Sequence, residues 1–405
     1  MAHAFAQAVE LVTTVLTVAG MGYFFAAMLA AFVFLAKRRP AVAGFTPGVS
    51  LLKSLRGLDP AMLDAFRSHC RQDYAGEYEL LFGVASADDP AVPAVVELQR
   101  EFPERAIRLI VCPERLGTNG KVSTLAQLIP QARHDYLLIN DSDITVSPRY
   151  LTRVMAHFAP EPRAKKQVGL VTALYRGRPH GSLWSKLEAL GIATDFQPSV
   201  LLARWIEGGL RYGLGSTLAV RREALTAIGG IETLVDHLAD DYELGARIYK
   251  AGFAIALSHE VVETSVPDYL RRGFFDHQVR WYRTVRDARP WGYVGLVFTM
   301  GLGWALLNVV ASGVSLWSVW LLALSFFLRL ALAMAVAANV LGDHDVLPNL
   351  WLLPLRDVIA MGTWVAGFAG HTIVWRGERF EVKDGKLSAV GAEPVLSHPK
   401  HKNRV

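Results

Sequence analysis

Tyr136-Leu137-Leu138-Ile139-Asn140-Asp141-Ser142-Asp143 sets an apolar run directly against a pair of carboxylates. The run reads as a buried strand, so the two aspartates stand where that strand ends. Open α/β sheets bind their ligands at the carboxyl ends of strands. An Asp-X-Asp pair placed there can hold a divalent cation against a diphosphate, because hard cations take oxygen ligands and bridge phosphate oxygens. The same four polar residues also suit an ordinary turn, so their meaning depends on what surrounds them.

Outward from this motif, apolar strand-like runs alternate with helical spacing. Residues 49–52, 79–84, 107–111, 136–139, 168–173 and 253–257 read as strands, and 91–102 and 121–132 carry helical periodicity. That alternation predicts an α/β domain with a mostly parallel sheet and helices on both faces. Its bounds are 41–268.

The chain has 405 residues and is 52% hydrophobic, more apolar than an ordinary soluble enzyme of this size. The excess lies at the two ends. Residues 11–36 carry no charge and exceed the ~20 residues that cross a bilayer. Lys37-Arg38-Arg39 follow at once, which places the next segment in the cytosol by the positive-inside rule. Residues 1–40 therefore read as a membrane anchor. A cleaved signal peptide would have a basic start and a shorter apolar core. Cys70 and Cys112 are the only cysteines, too few for a disulfide framework or an all-cysteine zinc site. No nucleic-acid motif is present, and the net charge of +5 is modest.

Arg271, Arg272, Arg280, Arg283, Arg286 and Arg289 cluster on an expected amphipathic interfacial helix, 269–290. Such a cluster suits anionic headgroups or diphosphates. A second apolar block, 291–376, reads as three spans, with two or four as open alternatives. The tail, 377–405, is basic (Arg379, Lys383, Lys386, Lys400, Lys402, Arg404) and expected in the cytosol. A cytosolic tail needs an even number of crossings, so three spans require one segment to be re-entrant or interfacial.

Further acidic motifs end predicted strands or open helices: Asp88-Asp89-Pro90, and Asp240-Asp241-Tyr242-Glu243. With His277-Gln278-Val279-Arg280-Trp281 they resemble the spaced-aspartate and (Gln/Arg)-X-X-Arg-Trp pattern of membrane-bound inverting glycosyltransferases. Those enzymes have the Rossmann-like nucleotide-sugar-binding fold called GT-A. The chain is similar to the ceramide glucosyltransferase family, also through Pro47-Gly48-Val49-Ser50-Leu51-Leu52-Lys53, Asp88-Asp89-Pro90-Ala91 and Gly120-Lys121. Tyr175-Arg176-Gly177-Arg178-Pro179, Pro198-Ser199-Val200-Leu201 and Leu238-Ala239-Asp240-Asp241-Tyr242 resemble its bacterial hopanoid-biosynthesis branch.

That resemblance implies a UDP-sugar donor, a Mg2+ or Mn2+ ion and a lipid acceptor at the bacterial inner membrane. Asp141 and Asp143 are the expected metal ligands, Asp143 the more direct one. Asp89 is expected at the uridine, and Lys121 at uracil or phosphate. Asp241 matches the catalytic base, with Asp240 beside it raising its pKa if both are buried. Arg280 is expected to clamp the diphosphate and Trp281 to wall the acceptor site. His277 stands where the pattern has Gln or Arg, which leaves the role of that position open. Tyr212-Gly213-Leu214-Gly215-Ser216-Thr217, with Arg221-Arg222, resembles an acceptor-side loop and equally suits a tight turn. The acceptor implied is bacteriohopanetetrol receiving N-acetylglucosamine; ceramide receiving glucose is the alternative. A non-catalytic membrane scaffold of the same fold is the reading from another class, and it would be expected to have lost one of the aspartates.

Overall fold

A computed structural model describes residues 2–37, 44–162, 165–375 and 378–389. Eight strands form one sheet: β1 (Val49–Leu55), β2 (Tyr78–Val84), β3 (Ala106–Val111), β4 (Tyr136–Ile139), β5 (Ile144–Thr145), β6 (Val168–Pro179), β7 (Leu218–Arg221) and β8 (Ala254–Val266). Their order is β3-β2-β1-β4-β7-β6-β8-β5. The pairs β3–β2, β2–β1, β1–β4 and β6–β8 are parallel, whereas β7 runs against both its neighbours and β5 against β8. All six strands read from apolar runs are present. The two reversed strands are too short to show such a run, and β7 follows the glycine-rich loop at 213–215.

The helices are α1 (Ala2–Ala36), α2 (Met62–Cys70), α3 (Val92–Glu101), α4 (Gly120–Leu128), α5 (Tyr150–Met155), α6 (Leu183–Gly191), α7 (Gln197–Ile206), α8 (Arg222–Ala227), α9 (Asp240–Lys250), α10 (Arg271–Ala288), α11 (Pro290–Gly295), α12 (Gly301–Ala311), α13 (Leu316–Met334) and α14 (Leu353–Phe368). Apolar residues on both sheet faces are buried in two large clusters. One of them runs on without a break into α1 and α13 through Phe24, Ala27, Phe34, Leu332 and Val336. The membrane block and the sheet therefore share a core.

Two helices are long and apolar enough to cross a bilayer, over Ala4–Ala36 and Leu316–Val340. Pro290–Thr299 and Gly301–Ala311 make a third only if taken as one span bent by 58°. The last apolar segment departs from the sequence reading. α14 has 16 residues, about 24 Å at 1.5 Å per residue, and so falls short of a ~30 Å hydrocarbon core. The run then turns at Gly370 (φ 74°) into a strand, β9 (Thr372–Trp375). Apolarity alone does not distinguish a span from a buried strand. β10 (Glu378–Lys383) and β11 (Lys386–Ala389) complete an antiparallel three-stranded sheet, order β11-β10-β9. That part of the expected tail is folded; residues 390–405, with Lys400, Lys402 and Arg404, lie outside the described residues, as do Arg38 and Arg39.

Polar contacts hold the membrane helices to each other and to the sheet. Asn308 Nδ2 donates to Thr13 Oγ1 (2.9 Å) and Thr14 Oγ1 (2.8 Å). Arg329, buried in α13, bonds Asp357 (2.8 Å), Asp195 and the Thr194 carbonyl (2.7 Å). α1 and α12 cross at two glycines, where a Cβ on Gly20 would sit 2.2 Å from Gly301 Cα. Small residues permit this approach, which drives helix association in lipid. Gly20→Leu should lower stability by about 1–3 kcal/mol or more through overpacking, read as a lower Tm in detergent than for Gly22→Leu, where a Cβ meets open space.

Candidate functional site

The strand register builds the site. Leu52 pairs with Ile139 and Ile139 with Leu218, so Lys53, Asn140 and Thr217 come next, side by side at the carboxyl end of the sheet. Asn140 is buried and donates to Ser216 O (2.6 Å) and Tyr150 Oη (2.9 Å). His69 Nε2 lies 3.3 Å from its Oδ1. This fixes the chain direction just before Asp141. Lys53 is buried and donates to Asp141 O (2.9 Å). Burial lowers its pKa to about 7, against the pull of Asp143 and Asp141.

Asp141, Asp240 and Asp241 converge on Lys121, and Asp143 lies beside Asp141. Asn119 caps α4 by accepting from Val122 N (3.2 Å), and the first turn then carries Lys121 inward. Lys121 Nζ reaches Asp141 Oδ1 at 2.7 Å and Asp240 Oδ2 at 3.4 Å. Burial works against its charge, yet Asp141 and Asp240 outweigh burial and raise its pKa. Asp143 accepts a hydrogen bond from Thr264 Oγ1 and is pushed up to about 6, by burial first and then by Asp141. Asp241 sits in the first turn of α9 and accepts from Gly215 N and Tyr242 N, both 2.8 Å. It too is pushed up to about 6, by burial first and then by Asp240, the effect expected of two adjacent buried carboxylates.

Gly215 separates the two acidic groups. A Cβ there would lie 3.2 Å from Asp241 Oδ2 and 3.4 Å from Asp141 Oδ2. Leu214 bridges to Thr217, so the loop is a tight turn and also a close backbone approach.

Asp89 follows β2 at the same sheet edge, and its carboxylate accepts from Gly57 N (3.0 Å) and Ala91 N (2.9 Å). The Arg-Trp motif lies on α10. His277 Nδ1 is 3.2 Å from buried Glu188 Oε1 and 3.2 Å from Tyr269 Oη, and Gln278 also donates to Glu188. Burial opposes ionisation of Glu188, but His277 and Arg280 hold its pKa low. Trp281 packs edge-on against Phe196 (5.6 Å) and joins Tyr175 and Tyr269 around Ala189, Ile192 and Val266. Tyr175 connects the two halves. Burial raises its phenol, and the charges of Asp241, Glu188, Asp141 and Asp143 raise it further.

The arginine cluster on α10 is largely used within the protein. Arg286 donates to Gly367 O (2.7 Å) and Gly370 O (3.0 Å), Arg283 to Ala369 O (2.5 Å), and Arg289 pairs with Glu207 (2.5 Å). Charge spacing alone suggested headgroups because carbonyl partners 80 residues on are invisible to it. Glu188 and Thr264 were not found from the sequence, whereas Lys53, Asn140 and Tyr175 stood within sequence motifs without a role of their own. Lys53 had a local signal, a lysine continuing an otherwise apolar strand run.

A family model described as Glycosyl transferase family 21 matches residues 12–388. The chain belongs to glycosyl transferase family 21. It is 23% identical over 358 residues to ceramide glucosyltransferase 1 of Caenorhabditis elegans, covering 84% of this chain and 72% of that protein. It is 26% identical over 249 residues to ceramide glucosyltransferase 3 of the same organism, spanning about half (50%) of that relative and 58% of this chain. Among solved structures it is similar to a mannosyltransferase from Pyrobaculum calidifontis in complex with GDP-Man and Mn2+, at TM-score 0.54 and 19% identity. That match covers 89% of this chain and 97% of the other, and it shows the GT-A fold.

Among the described residues no three acidic, His or Cys side chains group as a closed metal site. Asp141 and Asp143 nevertheless fit a hard divalent cation whose remaining ligands come from a diphosphate, since they are oxygen donors that repel one another. Lys121 holds positive charge against the same Asp141 oxygen. Lys121→Met should therefore lower Tm without added metal and enlarge the Tm rise produced by Mn2+, checked by thermal melts with and without the ion.

Proposed function

We propose that this family 21 member is an inverting hexosyltransferase that moves a sugar from a UDP-sugar to a lipid hydroxyl at the cytosolic face of a membrane. The observation that carries this reading is the pair of acidic groups on either side of Gly215. One, Asp141 with Asp143, suits the diphosphate end of a donor, and the other, Asp241, is a buried carboxylate with raised pKa. Inverting displacement needs both a stabilised leaving group and a base.

A Mg2+ or Mn2+ ion held by Asp141 and Asp143 would supply charge neutralisation at the departing diphosphate. Lys121 adds a fixed positive charge there, 2.7 Å from Asp141 Oδ1. Asp241 takes the proton of the acceptor hydroxyl as the new glycosidic bond forms. Asp89 orders the loop edge at the uridine end, Arg280 faces the diphosphate from α10, and Trp281 with Tyr175 and Tyr269 walls the acceptor. His277, oriented by Glu188, takes the place of the Gln or Arg of the motif.

The acceptor enters beside α10, between the sheet and the membrane helices. Support for a lipid acceptor comes from the core shared by the sheet and α1 and α13. Both ends of α14 are tied to the catalytic side, by Asp357–Arg329–Thr194 at one end and Arg286–Gly370 at the other. That arrangement supports crossings by α1, the bent α11–α12 pair and α13. An even number then falls in the C-terminal block, as a cytosolic tail requires.

The resemblances at Tyr175–Pro179, Pro198–Leu201 and Leu238–Tyr242 support a hopanoid polyol receiving N-acetylglucosamine at a bacterial inner membrane. The curated relatives favour ceramide receiving glucose. Product mass spectrometry with each donor and acceptor pair, in liposomes with metal, discriminates the two. No transfer in any combination would overturn the enzyme reading. Asp241→Asn should abolish transfer while retaining UDP binding. In the wild type the rate should fall as pH drops through about 6, because the protonated base is inactive.

A further inference from the structure

The C-terminal sheet lies against the loop that carries the acidic pair. Leu238 N donates to Gly385 O (3.1 Å), Leu387 N donates to Asp236 O (2.7 Å), and His237 bridges to Lys386. Leu238, two residues before Asp240, is the one catalytic-domain residue in a small buried cluster with Ile373, Phe380, Val382 and Leu387. The same loop holds the approach to Lys121. Asp236 Oδ1 accepts from Thr118 N (2.9 Å), Asn119 N donates to Val235 O (2.6 Å), and Asn119 Nδ2 donates to His237 O (2.9 Å). β10 also places Glu378 against Arg56 (2.6 Å), next to the Gly57 that bonds Asp89. On its other side the sheet follows the segment 367–372, whose carbonyls Arg283 and Arg286 of α10 hold.

We propose that the three-stranded sheet Thr372–Ala389 is a positioning strap. It sets the loop 235–241, and through it Asp240, Asp241 and Lys121, in the geometry that transfer needs, and it couples that loop to the interfacial helix α10. Leu238 is its anchor and acts through Asp241, touching no substrate itself. The physical basis is economy of contact. The loop between the 3-10 turn Ile231–Leu234 and α9 is irregular, so its backbone groups need partners from elsewhere. The turn before β11 supplies one acceptor, Gly385 O, and β11 one donor, Leu387 N, and the cluster buries Leu238.

The inference rests on Asp241 being the base, and its test keeps the two apart. Full-length Leu238→Ala and Val382→Ala proteins would be assayed for sugar transfer in liposomes alongside the wild type, with UDP binding measured on the same samples. Displacing the base by about an ångström should lower kcat at least ~10-fold with the donor KM within ~3-fold. Leu238→Met should restore most of kcat. Limited proteolysis should show earlier cleavage near 372–389 in the alanine variants. Should kcat hold while proteolysis reports a loosened sheet, the strap is refuted. A kcat loss matched by an equal loss of UDP binding would also refute it, since that reports general damage. Val382→Ala removes two methyl groups from the far side of the cluster, so it remains informative if Leu238→Ala does not fold. Absence of transfer by the wild type would instead count against the enzyme reading.

Discussion

Three carboxylates gathered around one lysine, with Asp143 beside the first of them, are the constraint on which this molecule turns. Asp141, Asp143, Asp240 and Asp241 come from the end of a strand and the start of a helix 100 residues later. Unaided, they would repel each other. Lys121 bridges Asp141 and Asp240, and burial with mutual repulsion holds Asp143 and Asp241 near pKa 6. Such a cluster persists only if the surrounding fold over-determines it. The buried Asn140, with partners in the loop before β7, on α5 and on α2, and Lys53 on Asp141 O do this from below.

The same constraint explains why membrane helices and sheet share a core. Glu188 lies at the end of α6, and the helical path then loosens into a π-turn at Ile192–Phe196. Asp195 in that turn meets Arg329 of α13 and Arg356 of α14. Ionisable groups within an apolar helix block are expensive unless paired, so this network fixes how α13 and α14 dock on the catalytic domain. The docking in turn sets where α10 lies, since Arg283 and Arg286 close on the end of α14. Position of the Arg-Trp motif is thus set from two directions, by Glu188 through His277 and Gln278, and by α14.

Much of this was readable in the sequence, and the division follows physical range. The six strands read from the sequence announced themselves as runs of consecutive apolar residues, and β1, β2 and β4 are also the ones most fully buried. The aspartate pair was readable because its place relative to Tyr136–Ile139 is local. Lys121 was singled out from the glycine-rich turn before it, but its partners at Asp141 and Asp240 are tertiary. β5 and β7 went unread as strands or only half read, having two and four residues. The sheet at 372–389 was hidden because Ile373, Val374 and Trp375 continue an apolar segment, while the alternation in Glu378–Lys383 sat in a stretch whose charge dominated the reading. Glu188 has no local signature at all, and Tyr175 was read only as the first residue of a motif.

The partition of roles between the two acidic groups follows from their surroundings. Asp141 has its side chain 43% exposed, against 12% for Asp240, and it carries the shorter lysine contact. Asp241 is enclosed, with both oxygens already accepting backbone N–H groups, and it faces Asp141 across a glycine. A side chain at position 215 would push the two apart, because even a Cβ falls within 3.4 Å of both carboxylates. On the proposed reading, the narrowness of that gap would seat the sugar's reacting carbon between the diphosphate side at Asp141 and the raised-pKa carboxylate of Asp241. Tyr175 lies within reach of both groups' charges, since burial and then Asp241, Glu188, Asp141 and Asp143 raise its phenol.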